Sequence, residues 1–256
     1  MSSGLRRWVI DAVLFFDRYI LPIIFALSLG EQVRFLSQKY TLLTWVWAKV
    51  CSGEFQHAYL IFLSLVISKV FFILLYALFI WGLLTRQPLK EKPTQYREVF
   101  FPILGTFFYV FYQFLQDIPP EANFYVVPLD RFILFVVIGT VLQIIGFTIA
   151  LVATVNLRRA FGILVEARGL VTHGLYRWVR HPLYFGYIVL TIGICLVIPR
   201  IYQILLSVIL ITLHIYRAYL EERKVMAAYP AYREYAAHTP FIFPLPWFCR
   251  KKKTGI

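Results

Sequence analysis

From residue 57 to residue 84 the chain carries a single charged side chain, Lys69, in a run otherwise made of aliphatic and aromatic residues with a few small polar ones. A run of that length and composition is built to cross a bilayer, where only a helix satisfies its own backbone. Comparable apolar runs cover about 8 to 29, 98 to 116, 132 to 155, 183 to 198 and 201 to 219. With 60% hydrophobic residues and a mean hydropathy of +0.71, the chain is expected to be an all-α polytopic membrane protein of about six transmembrane helices. The first run is interrupted by Asp11, Asp17 and Arg18 and is followed by no small-residue cleavage site, so it is read as a retained helix. The stretch 41 to 50 is apolar but too short to cross, and is expected to be interfacial or re-entrant. No internal repeat or composition shift divides the chain, so residues 1 to 256 read as a single membrane domain. Its first four helices, to residue 155, form the expected substrate side. Residues 156 to 256 supply a loop, a hairpin and a tail.

The net charge of +13 does not point to nucleic acid, because the basic residues sit in short loops and tails between apolar runs. Arg6 and Arg7, the loop 85 to 97, the loop 156 to 182 and the C-terminal tail are basic, whereas the loop 117 to 131 is acidic. Six crossings with both termini in the cytoplasm satisfy the positive-inside rule at nearly every loop. Only Pro199 and Arg200 join the last two runs, which imposes a tight antiparallel hairpin. Cys51, Cys195 and Cys249 are widely spaced, with neither a disulfide framework nor a metal-ligand pattern. Lys69, costly at mid-membrane by about 2.5 to 3.5 kcal/mol, is expected to pair with Asp11 or Asp17. His57 and His214 read as interfacial or packing residues, and Phe71, Phe72, Phe107, Phe108, Phe111 and Tyr112 as packing groups.

The densest polar cluster is "GLYRWVRHPLYFGY", residues 174 to 187. Pro182 suits the first turn of a helix, where its missing N–H costs nothing. The amides of that turn, with the helix dipole, favour an anionic group. Gly186 lets a ligand or a neighbouring helix approach the backbone. Tyr176, Arg177, Arg180, His181, Tyr184 and Tyr187 are more than membrane anchoring requires. Glu221 and Glu222 end the last apolar helix, and the hairpin returns them to the level of Arg180 and His181. Neighbouring helical residues point about 100° apart, so one glutamate at most is expected to face the site.

The pairing of "GLVTHGLYRWVRHPLYFGY" with "EERKVMAAYPAYREYAAHTP" about forty residues later resembles the C-terminal signature of the isoprenylcysteine carboxyl methyltransferase and phospholipid methyltransferase superfamily, over roughly residues 150 to 246. The resemblance implies an integral-membrane enzyme that binds S-adenosylmethionine in a cytosolic pocket and takes a lipophilic or lipidated acceptor from the bilayer. It places Tyr176, Arg177, Arg180, His181, Pro182, Tyr184, Gly186, Glu221 and Glu222 in the cofactor pocket. Arg180 and the two glutamates become the candidate catalytic groups, with no metal. "NLRRAFG" departs from the glycine-arginine pair common in relatives, which bears on Arg158 and Arg159. The residue types fit the donor, since its carboxylate calls for arginine, its ammonium for glutamate, and its sulfonium and adenine for aromatic faces. The chain has no GxGxxG turn. Two other readings are a sterol-type membrane reductase using NADPH and a transporter or scaffold that keeps the fold without activity.

Overall fold

The computed structural model describes residue 8, residues 11–53, 57–88, 90, 93–116, 132–197 and 199–244, with side chains of a few of these left aside. Among the described residues the chain is helical throughout its regular elements. Helix α1 spans Asp11–Gln38, with a π turn at Phe16–Ile20, and α2 spans Tyr40–Cys51. Helices α3 (His57–Thr85), α4 (Arg97–Gln116) and α5 (Phe132–Leu157) follow. Then come α6 (Pro182–Val197), α7 (Ile201–Ala228) and the short α8 (Tyr232–His238). Four helices, α1, α3, α5 and α7, are long and apolar enough to cross a membrane. Of the other two expected crossings, α4 coincides with the third and has Pro102 inside it, and α6 is an apolar helix of 16 residues, short of the roughly 20 that span a bilayer. The expected interfacial stretch is α2, whose Trp45 and Trp47 are exposed.

Helices α1 and α3 run antiparallel, and one ion pair fixes their register. Asp17, wholly buried, pairs with Arg86 just beyond the end of α3. Seventeen residues back along α3 is Lys69, and at about 1.5 Å per residue it must lie level with the last turns of α1 rather than with its start. Its Nζ sits 5.0 Å from the ring of Phe35. The expected Lys69–Asp17 pair is thus corrected by helix register: the aspartate belongs to the other end of α3.

The closest helix contact joins α5 and α6. Gly139 and Gly146 lie two turns apart on one face of α5, and Gly186 and Gly193 lie two turns apart on α6. In the antiparallel contact Gly139 meets Gly193 and Gly146 meets Gly186. A Cβ at Gly146 would stand 2.5 Å from the amide nitrogen of Leu190, and one at Gly193 would stand 2.6 Å from the carbonyl of Gly139. Small residues admit this approach where lipid gives helices no hydrophobic reason to associate. Gly186 therefore serves the neighbouring helix.

Helices α6 and α7 follow one another in the chain and pack together. Near the link, Cys195 Sγ lies 2.7 Å from Ser207 Oγ. At the far end Tyr184 donates to Glu221.

Candidate functional site

Asn156, in the last turn of α5, sets the start of the motif. Its Oδ1 accepts from the amide of Leu175 at 2.9 Å, and a Cβ on Gly174 would come within 2.1 Å of that oxygen. Gly174 also has φ +61°, a left-handed conformation that glycine adopts without strain. The 3-10 turn Gly174–Arg177 then delivers Tyr176 inward, and Pro182 opens α6. Upstream, Arg158 takes a left-handed φ of +49° at the end of α5 and its side chain is exposed. The side chain of Arg159 lies outside the described residues.

The tail closes over this turn. The amides of Arg180 and His181 donate to the carbonyls of Pro240 and Phe241 at 2.9 and 3.1 Å. Those two groups ahead of the helix are occupied by the chain itself, so the anion-binding role expected of the helix mouth does not extend to them. Tyr235 donates to the Tyr176 carbonyl, and Arg180 Nη1 donates to Ala236 O at 3.1 Å.

Adjacent glutamates take different partners. Glu222 Oε1 lies 2.9 Å from Arg180 Nη1, and its Oε2 lies 3.6 Å from His181 Nε2. Glu221 Oε1 accepts from Tyr184 and from Arg217 Nε, the latter at 3.1 Å. Glu221 lines the cavity that opens beside the motif; Glu222 stands behind Arg180. That cavity, about 820 Å³ with its mouth, is bounded by Tyr176, Arg180, His181, Tyr184, Glu221 and the tail's Tyr232 and Tyr235. The geometry separates the expected residues. Tyr176, Arg180, His181, Tyr184 and Glu221 share the cavity wall, with Glu222 one contact away. Arg177 is exposed and stacks on Trp178 at 5.1 Å, Pro182 starts the helix, and Gly186 packs on α5.

Five further polar groups sit in the wall without having been singled out from sequence. Arg217 lies four residues before Glu221, a spacing that pairs charges on one helix face. Tyr232 and Tyr235 repeat at i, i+3 on α8, the remaining trace of a tail folded onto the site. Glu166 and Arg168 form a buried pair at 2.7 Å, and no local pattern marks it. Burial pushes the Glu166 carboxyl up to about 7, against the opposing pull of Arg168. Burial likewise lowers Arg168 and raises the phenols of Tyr176, Tyr232 and Tyr235, the last to about 12. The tyrosines are therefore neutral hydrogen-bonding and stacking surfaces near neutral pH.

A second cavity, about 560 Å³, shares part of the same wall. It is lined chiefly by Phe25, Tyr76, Phe79, Phe161 and Ile163 from α1, α3 and the loop after α5. Leu183, Tyr184 and Arg217 border both cavities. A polar chamber and an apolar one thus share a partition at these three side chains.

Residues 133–232 match the phospholipid methyltransferase family. That segment holds α5, the motif, the hairpin and both glutamates. The similarity to this family is confined to that segment, under half of the chain. A 60-residue stretch is 38% identical to Protein-S-isoprenylcysteine O-methyltransferase A of Arabidopsis thaliana, covering 22% of this chain and 30% of that protein. The chain thus aligns with under a third of that relative's length. No solved structure matches the chain. In the phospholipid methyltransferase segment lie the residues that bound the polar chamber from the hairpin side. The apolar chamber takes part of its lining, Phe25, Tyr76, Phe79, Gly105 and Thr106, from α1, α3 and α4, outside the matched segment.

Proposed function

We propose that the protein transfers a methyl group from S-adenosylmethionine to a lipophilic or lipidated acceptor dissolved in the membrane. The observation that carries this reading is the shared partition: a polar chamber suited to a charged, water-soluble donor meets an apolar chamber suited to a hydrocarbon chain at Tyr184 and Arg217. The donor supplies an activated methyl on a sulfonium. Around it, the unpartnered and buried Nε of Arg180 fits a carboxylate, and Glu221 fits an ammonium. Tyr176, Tyr232 and Tyr235 offer faces for the adenine and the cation. Glu222 holds the Arg180 guanidinium in place from behind. Tyr184 and Arg217 orient Glu221 and exclude water at the partition, and alignment with water exclusion is most of what such a transfer needs. The acceptor is an acid, as the name of the Arabidopsis relative suggests, or a lipid amine, as the family description suggests. The basic loops orient the site and both termini toward the cytoplasm.

Calorimetric titration of the purified protein in nanodiscs with S-adenosylhomocysteine tests this, with NADPH as the parallel ligand. The expected result is saturable binding of the first alone. NADPH binding alone overturns the reading in favour of a reductase, and binding of neither favours a scaffold.

A further inference from the structure

Among the described residues, His214 is the buried imidazole that lines the apolar cavity. It is 6% exposed, packs its ring against Tyr184 at 5.8 Å and Tyr187 at 5.1 Å, and lines the apolar cavity. Its Nε2 is inaccessible and makes no hydrogen bond. A polar atom left unpaired in an apolar enclosure is destabilising, so such an atom calls for a partner the chain does not supply. A phenylalanine of similar size would fill the space at no such cost. Arg217 lies one turn further along α7, on the same cavity.

We infer that His214 is a specificity residue for the methyl acceptor, and that its Nε2 hydrogen-bonds an oxygen- or sulfur-centred head group carried into the apolar cavity beside Arg217. This rests on the two-chamber methyltransferase reading above and deepens it. The direction of selection follows from the lining. Among the described residues that line it, the cavity's charged and imidazole groups are Arg217 and His214, with no carboxylate; Glu221, which pairs with Arg217 Nε, lines the other chamber. An ammonium there would face Arg217 with no counter-charge on its own side, whereas an acidic oxygen or sulfur would meet both a cation and a ring N–H.

The test uses the full chain in nanodiscs, loaded with S-adenosylhomocysteine, titrated with an isoprenylated cysteine acid and with an isoprenyl amine of the same hydrocarbon tail. Wild type is expected to bind the acid at least about tenfold more tightly than the amine. His214→Phe is expected to lose about tenfold in acid affinity, the equivalent of one hydrogen bond, with the amine and S-adenosylhomocysteine unchanged. His214→Gln, which keeps a hydrogen-bonding group near the same position, recovers part of the loss. If the phenylalanine variant does not fold, His214→Leu replaces it. Equal acid affinity in wild type and the apolar variant overturns the assignment, as does a preference for the amine, binding of neither probe, or a parallel loss of S-adenosylhomocysteine affinity. If wild type binds no S-adenosylhomocysteine, the methyltransferase reading itself falls and takes this inference with it; if it binds and the variant behaves as wild type, only the role of His214 falls.

Discussion

Helix α6 has two faces that obey different rules. Toward α5 it presents Gly186 and Gly193, and the contact is backbone on backbone. Toward α7 it presents Tyr184 and Tyr187, with His181 just ahead, and the contact is a network of phenol, imidazole, guanidinium and carboxylate. The first face tolerates no added atom, so it fixes where α6 sits. The second holds two cavities apart with side chains that have polar partners to exchange, so a ligand can compete for them. Rigidity on one side makes precision on the other possible.

Breaking the glycine face should have the largest effect. Gly146→Leu would drive side-chain atoms into the backbone of α6, a loss of more than about 3 kcal/mol, and folded protein should disappear from size-exclusion and thermal-unfolding profiles. Gly30→Ala in α1 is the matched control. A Cβ there meets nothing within 4 Å, so stability should hold or rise by about 0.5 to 1 kcal/mol. If both variants behave alike, the glycine face does not fix the position of α6.

On the polar face, Glu222→Ala leaves Arg180 buried without its carboxylate. S-adenosylhomocysteine affinity is expected to fall about 100-fold by calorimetry, while unfolding remains cooperative. Loss of fold instead would make this pair part of the scaffold.

A third test concerns pH. The Glu166 carboxyl is raised from 4.5 to about 7 in the folded protein. As pH rises through that window the unfolded chain gives up this proton and the folded chain keeps it, so Glu166 makes stability fall with rising pH between those values. Glu166→Gln should flatten that part of the pH–stability profile, measured by thermal unfolding in buffers from acid to neutral. The smallest effect is expected at Arg177. Exposed and stacked on Trp178, it should tolerate alanine with S-adenosylhomocysteine affinity within about twofold of wild type, which would separate it from Arg180 three residues away.

Most of the polar chamber could be read from the chain because its residues lie in two short segments joined by a hairpin with almost no link. Tyr176, Arg180, His181 and Tyr184 come from one segment and Glu221 and Glu222 from the other, and helical geometry alone brings the segments level. Arg217 was within reach of the same reasoning through its i, i+4 spacing to Glu221. Glu166, Tyr232 and Tyr235 were not, since each reaches the cavity by the path of a loop or tail, which leaves no periodic trace. The apolar chamber was less accessible still. Its phenylalanines are indistinguishable by sequence from the many that face lipid.

The apolar runs, the basic loops and the proline-bounded hairpin suffice to make this chain a helical membrane protein with a polar cluster at one end of its last two long helices, because bilayer thickness and helix pitch leave few alternatives. Which neighbours those elements choose was decided only in three dimensions. Register set Asp17 against Arg86 and carried Lys69 to Phe35; side-chain direction gave Glu221 to the cavity and Glu222 to Arg180; close packing claimed Gly186 for α5. Each of these depends on a rotation of about 100° or a shift of a few residues along a helix, differences too small for composition to record and large enough to move a side chain from one chamber to another.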